Sequence, residues 1–257
     1  MRSPTESRAR KLEIALRDAG LADQVQIGMP SPALPARGAH EVARRPGRPA
    51  SPGNPERPAE RPALDPFVFS REGWGGQLIE VAGALSSGRT TLACRMAARI
   101  TGRGQLAGWV DLPDALDPRS LHRAGADLGS VMWARPRGIT EAFRCAELLL
   151  RTGFALVVVD LEGASPSKLG IPPVWARLLR RVREGRATCL LLVPERVAGS
   201  FPTLGLWTER RRVFFEGKLF EGIETRATVV RDRNGPIGAE LPFEAWRRPS
   251  GPSASAR

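Results

Sequence analysis

Between residues 77 and 194 the chain alternates short, uninterrupted apolar runs with longer stretches whose apolar residues recur every three or four positions. QLIEVAG (77–83), LAGWVDL (106–112), ALVVVDL (155–161) and ATCLLLVP (187–194) read as strands. SSGRTTLACRMAARIT (86–101), ITEAFRCAELLLRTG (139–153) and PPVWARLLRRVREG (172–185) read as helices, the last opened by proline. Strands that are apolar on both faces and alternate with helices predict a parallel sheet covered on both sides. From Arg212 the rhythm changes to strand–turn–strand, RRVFFEG and ETRATVVRDRNG, with no helix between. The expected fold is therefore α/β, a mostly parallel central sheet with an antiparallel extension at its C-terminal side.

The flanks differ. Residues 1–28 form an arm in which Leu12, Ala15, Leu16 and Ala19 fall at helical spacing, predicting a short amphipathic helix over 5–19. It reads either as a packed terminal helix or as a protein-docking arm. Residues 29–66 hold ten of the 23 prolines and six arginines with hardly any aliphatic side chains, the composition of a solvated linker. The folded body runs over 67–246, and 247–257 read as a second solvated segment.

Composition narrows the function classes. The net charge of +12 suits a polyanionic partner but is spread along the chain rather than gathered in one arm. Only Lys11, Lys168 and Lys218 are lysine, a bias that a GC-rich genome explains as well as selection for contacts does. Cys94, Cys145 and Cys189 lie far apart with no CxxC pair, and the two histidines, His40 and His122, stand alone. That spacing supports neither a zinc site, nor a disulfide framework, nor a histidine-based triad. No apolar run is long enough to span a membrane and the start has no apolar core, so the expected location is the cytoplasm.

The chemistry-bearing segment is Gly83-Ala84-Leu85-Ser86-Ser87-Gly88-Arg89-Thr90-Thr91, placed between a strand and a helix. It matches the phosphate-binding pattern G-x-x-x-x-G-K-[ST], with Arg89 where lysine belongs. Glycines let the backbone wrap a phosphate, the N–H groups of the loop point inward, and the helix N-terminus adds positive potential. The nucleotide-binding candidates are Gly83, Ser86, Ser87, Gly88, Arg89, Thr90, Thr91 and Asp160, the last at the end of ALVVVDL. Thr90 and Asp160 are the candidate Mg²⁺ positions and ATP the expected ligand. Arginine keeps the charge but is longer, planar and forked, so it cannot sit where the lysine does.

IEVAGALSSGRTTLACRMAA, GWVDLPDALDP and ALVVVDLEG, in that order, resemble the ATPase core of the RecA recombinase family. V-D-x-x-x-A-L-D-P, Val110 to Pro118, is RecA-type rather than a general feature of phosphate loops. GIETRATVVRDRNGPIGAELPFEAW resembles the closing strands of that core, and the resemblance covers about residues 67–246. It implies that Arg231 and Arg233 reach a neighbouring subunit or partner. It also exposes departures. The family's water-activating glutamate falls on Pro113, which holds no proton to move, with Asp114 beside it as a weak substitute. The nucleotide-sensing glutamine falls on Glu195, and the DNA-binding loop that follows is short.

A kept scaffold with these losses resembles the ImuA group, RecA- and SulA-related accessory proteins of damage-induced mutagenesis. That resemblance implies a hydrolysis-deficient adaptor for translesion synthesis whose partners are RecA, an ImuB-like protein or error-prone polymerase subunits. The alternatives are a divergent DNA-dependent ATPase and a SulA-like cell-division inhibitor. Candidate contacts to single-stranded DNA are Lys168, then Arg177, Arg180 and Arg181 on the 172–185 helix, and Arg210, Arg211 and Arg212 beside Trp207. A solvated helix face and a packed tryptophan are the plain readings of the same residues.

Overall fold

The computed structural model describes residues 75–169 and 172–247, together with Ile14, Arg17, Asp18, Gly20 and residues 22–27. Most of the predicted N-terminal helix, the 29–66 linker and residues 248–257 lie outside the described residues. Ile14, Arg17 and Asp18 are helical.

Nine strands make one sheet: β1 (Val25–Ile27), β2 (Gln77–Gly83), β3 (Ala107–Asp111), β4 (Val131–Ala134), β5 (Leu156–Asp160), β6 (Thr188–Val193), β7 (Leu204–Glu216), β8 (Leu219–Asp232) and β9 (Glu240–Arg247). Their spatial order is β1-β4-β3-β5-β6-β2-β7-β8-β9. The six strands from β4 to β7 are parallel, while β1, β8 and β9 add antiparallel edges. The α/β fold with its antiparallel extension is thus as the apolar pattern predicts. Four segments carried no clear pattern: β1, which draws the N-terminal arm onto β4, β4 itself, the six-residue helix α2 (Pro118–Arg123) and the four-residue helix Pro166–Leu169, and β7 begins at Leu204 rather than at Arg212. Three- to six-residue elements are too short to establish a period.

The helices are α1 (Arg89–Thr101), α2, α3 (Ile139–Arg151), α4 (Pro166–Leu169) and α5 (Pro172–Gly185). They split between the two faces because successive strand residues point to opposite sides. Leu78, Val157, Val159, Cys189 and Leu191 meet α3 and α5 on one face, where Phe143 and Trp175 pack edge to face at 5.3 Å. Ile79, Val81, Leu156, Val158, Leu190 and Leu192 meet α1 and α2 on the other, joined by Phe243, Ala227 and Val229 from the antiparallel strands. On α5, Val174, Trp175, Leu178, Leu179 and Val182 are buried, so its arginines are left on the outer side. The cysteines belong to these cores: all three are buried and unbridged, and burial pushes their thiols up to about 12, 11 and 12 for Cys94, Cys145 and Cys189.

One polar side chain interrupts the apolar layers. Glu80 of β2 is fully buried, and its Oε1 accepts the backbone N–H groups of Val197 and Ala198, each at 2.8 Å. Arg196 donates Nε to its other oxygen at 3.3 Å. The carboxylate thus fastens the segment after β6 to the strand that carries the phosphate loop.

Candidate nucleotide site

The site lies at the C-terminal ends of β2, β3 and β5, where the parallel strands hand over to loops. Its backbone has the form of a phosphate loop. Ser86 and Gly88 take left-handed conformations, φ +60° and +95°, and α1 starts at Arg89 rather than at Ser86. Gly83 has no room for a side chain: a Cβ there would lie 2.3 Å from the Thr208 carbonyl oxygen. At Gly88 a Cβ would lie 2.8 Å from the Phe243 ring. Ser87 is buried and shares a 2.7 Å hydrogen bond with the Thr208 hydroxyl, which donates at 3.1 Å to the Ala82 carbonyl. The loop is therefore clamped from behind by β7 and β9, through residues that the phosphate motif does not include.

The side chains are disposed differently from the backbone. Arg89 is only 6% exposed and its Nη2 forms an ion pair with Glu162. Its Nη1 is enclosed with no acceptor. Glu162 stands two residues beyond the end of β5, in a turn held by its own N–H donating to Asp160 Oδ1 at 3.1 Å. Sequence reading missed Glu162 as a site residue. The signal was present, a carboxylate just past the aspartate strand and an arginine in place of lysine, but only the fold joins them across 73 positions. Thr90 is exposed, and Asp160 is buried with its carboxyl pushed up to about 6 by desolvation, by neighbouring Asp111 and by Glu162. Asp111 and Asp160 are register partners on adjacent strands.

Asp111 has a structural duty. Its Oδ1 accepts the N–H of Ala115 at 3.1 Å, and its Oδ2 accepts those of Leu116 and the Trp133 indole at 3.0 Å each. Asp117 caps α2 by accepting the N–H groups of Arg119 and Ser120. The V-D-x-x-x-A-L-D-P segment is thus a fold device, a turn tied to its first aspartate and a helix started by its last. Pro113 lines an open cleft of about 780 Å³ with Leu112, Gly138, Glu162 and Lys168. Asp114 faces away to solvent with φ +53°, and its carboxylate is 3.7 Å from Arg135.

A nucleotide with Mg²⁺ is the ligand such a loop implies, and the residues fit it only in part. The backbone and the helix N-terminus suit a phosphate. The side chains as arranged do not: the loop's cation already holds an anion, and Pro113 stands where the resemblance leads one to expect a glutamate. Glu195 is exposed.

Most of the remaining candidates have neighbours within the chain. Arg231 donates to the carbonyls of Pro202 and Ser200, both at 2.8 Å, and Arg233 to Ser200 at 2.6 Å. From β8 and its end, both brace the 200–202 segment that leads into β7. Arg177 pairs with Glu147 of α3 at 2.8 Å, and Arg180 and Arg181 both flank Glu184. Lys168 is exposed at the cleft. Arg210, Arg211 and Arg212 are exposed on β7, with Arg211 3.5 Å from Glu209 and Arg212 over the Phe214 ring. Trp207 is 37% exposed. These basic residues sit on α4, α5, β7 and β8 and just beyond it, and apart from Lys168 the fold does not bring them to the cleft that Glu162 lines. Among the described residues no cluster of His, Cys, Asp and Glu forms a metal cage, and no helix is long and apolar enough to cross a membrane.

Comparison with known proteins places this geometry. Residues 72–169 match the family model of the RecA N-terminal domain. Protein RecA of Bifidobacterium breve is 34% identical over 97 residues, 37% of this chain and 25% of its own length. Protein RecA of Acinetobacter baumannii is 25% identical over 203 residues, 66% of this chain and 58% of its own. The chain thus spans from a quarter to under three fifths of the length of these relatives. The crystal structure of the RadB recombinase superposes with a TM-score of 0.50 at 22% identity, covering 66% of this chain and 87% of that one, a likeness of fold. In sequence from β2 to α4, and in the architecture of its sheet, this chain is RecA-like.

Proposed function

We propose that the chain is a RecA-like adaptor of the ImuA type, acting in the DNA-damage response and translesion synthesis without hydrolysing ATP. One observation carries the reading: the cation of the phosphate loop, Arg89, is buried against Glu162 of its own chain. Hydrolysis needs that charge on the β- and γ-phosphates and a base to orient water. Here the charge is engaged and the base position holds Pro113. What persists is the scaffold, which suits binding to RecA or to ImuB-like and mutagenic polymerase partners. Lys168 and the exposed arginines of β7 suit a secondary contact with single-stranded DNA, and the cytoplasm is the fitting location.

The test is phosphate release by the purified protein with MgATP, with and without single-stranded DNA, beside surface-plasmon binding to RecA filaments and to an ImuB-like partner. The expected result is turnover at background, unchanged in Thr90→Ala, with binding to at least one partner. DNA-stimulated release that disappears in Thr90→Ala would establish the divergent ATPase instead. Binding to the division GTPase with no affinity for RecA or polymerase partners would establish the SulA-like alternative.

A further inference from the structure

We propose that Glu162 is a built-in anion that occupies the phosphate-binding charge of the loop, so that the site is masked by its own chain. The inference deepens the proposed function and rests on its reading of a non-hydrolysing site. It stands or falls, however, on anion affinity rather than on turnover or partner binding.

A guanidinium that is 6% exposed needs an anion, because an unpaired buried charge is strongly destabilising. In a phosphate loop that anion is the nucleotide. Here Glu162 supplies it from the turn after β5, where the Asp160 carboxylate holds the Glu162 N–H and Gly163 reverses the chain at φ +75°. Arginine rather than lysine makes the contact workable, since its longer, forked head extends beyond the loop toward the neighbouring strand end. The substitution at 89 and the carboxylate at 162 are then two halves of one device.

The fork is only half used. Nη2 meets Glu162, while Nη1 is enclosed without an acceptor. A single carboxylate oxygen is a poorer match for a guanidinium than an anion that presents several oxygens to both prongs. Glu162, in contrast to Arg89, keeps a path to solvent: its side chain is 27% exposed and lines the cleft beside Pro113 and Lys168. It is the movable partner of the pair. The charge balance supports masking, since one arginine faces Glu162 with Asp160 and Asp111 close behind. A polyphosphate entering without a cation would meet carboxylates.

The experiment uses the full-length chain and titrates inorganic pyrophosphate, followed by calorimetry and thermal shift at fixed ionic strength. Glu162→Gln keeps an amide oxygen for Arg89, so the loop remains packed, and Glu162→Ala removes the group altogether. Wild type should bind pyrophosphate at least tenfold more weakly than Glu162→Gln. Arg89→Ala added to either variant should abolish the gain. Equal affinity of wild type and Glu162→Gln overturns the proposal. So does a gain that survives Arg89→Ala, or the absence of binding by every variant. Partner binding by the same variants reports on the adaptor separately: loss of masking with partner binding intact, or the reverse, tells the two apart.

Discussion

The ends of the parallel strands and the outer half of the β7–β8 hairpin are opposite kinds of surface. At the strand ends Asp111, Asp160, Ser87, Thr208, Arg89 and Glu162 bond to one another or to adjacent backbone. Beyond Thr208 the hairpin leaves the parallel sheet, since β2 pairs with β7 only from Leu204 to Thr208. There Phe215 is 63% exposed and Leu219 46%, beside exposed Arg210, Arg212 and Lys218. Several of the residues that look most chemical in the sequence are thus engaged in holding the fold, although Leu85 and Thr90 of the loop are exposed, while Phe215 and Leu219 stand open where no motif points. A motif marks where a backbone shape is needed; whether its side chains are free depends on what the rest of the chain packs against them.

The contrast makes the strand ends fragile and the hairpin expendable. Gly83→Ala should have the largest effect. Its Cβ would meet the Thr208 carbonyl at 2.3 Å, where backbone rather than a flexible side chain must yield. A loss of more than about 3 kcal/mol in urea unfolding is expected. Retention of wild-type stability would mean that β7 does not clamp the loop.

Glu80→Ala comes next. It strands the N–H groups of Val197 and Ala198, and a loss of about 2–3 kcal/mol is expected. Glu80→Gln, which keeps one acceptor oxygen, should lose less than half of that in the same measurement.

Asp160→Asn should act in the other direction. Burial pushes the native carboxyl up to about 6 from its ordinary value of 3.8, so below about pH 3 both folded and unfolded chains hold the proton and nothing is lost. As pH rises toward 6 the unfolded chain ionises first, and the buried charge costs the native state about 2–3 kcal/mol. Asparagine keeps an oxygen for the Glu162 N–H. The variant should therefore be more stable at pH 7.5 by about that amount and equal to wild type at about pH 3, read from paired unfolding curves. A difference independent of pH would show that Asp160 is not ionised against its surroundings.

The smallest effect belongs to the hairpin. Phe215→Ser with Leu219→Ser should change stability by no more than about 0.5 kcal/mol, because exposed positions contribute little to the core. A loss above 1 kcal/mol would erase the contrast between the two regions.

Much of the architecture was legible in the sequence. The continuous apolar strands ALVVVDL and ATCLLLVP, each buried on both faces, and the 172–185 helix with its Trp175–Leu178–Leu179–Val182 stripe carry their periods openly. The phosphate loop was equally plain, because glycines at fixed spacing between a strand and a helix state a backbone requirement locally. The short strand Val25–Ile27 was not legible, since three residues hold no period and their partner, β4, is 107 positions on. Nor were the clamp on Gly88 by Phe243 and Thr225, or the anchoring of the 196–198 segment by Glu80.

The sequence by itself determined the layers, the parallel order of strand and helix, and the position of a loop shaped for phosphate, because each rests on periodicity or on residues adjacent in the chain. Only the tertiary structure decided what the loop's cation touches. Arg89 and Glu162 are 73 residues apart, and their pairing exists because β2 and β5 end at the same edge of one sheet. Burial then forces the issue: a guanidinium shut away from water must find a carboxylate, and the fold sets one beside it.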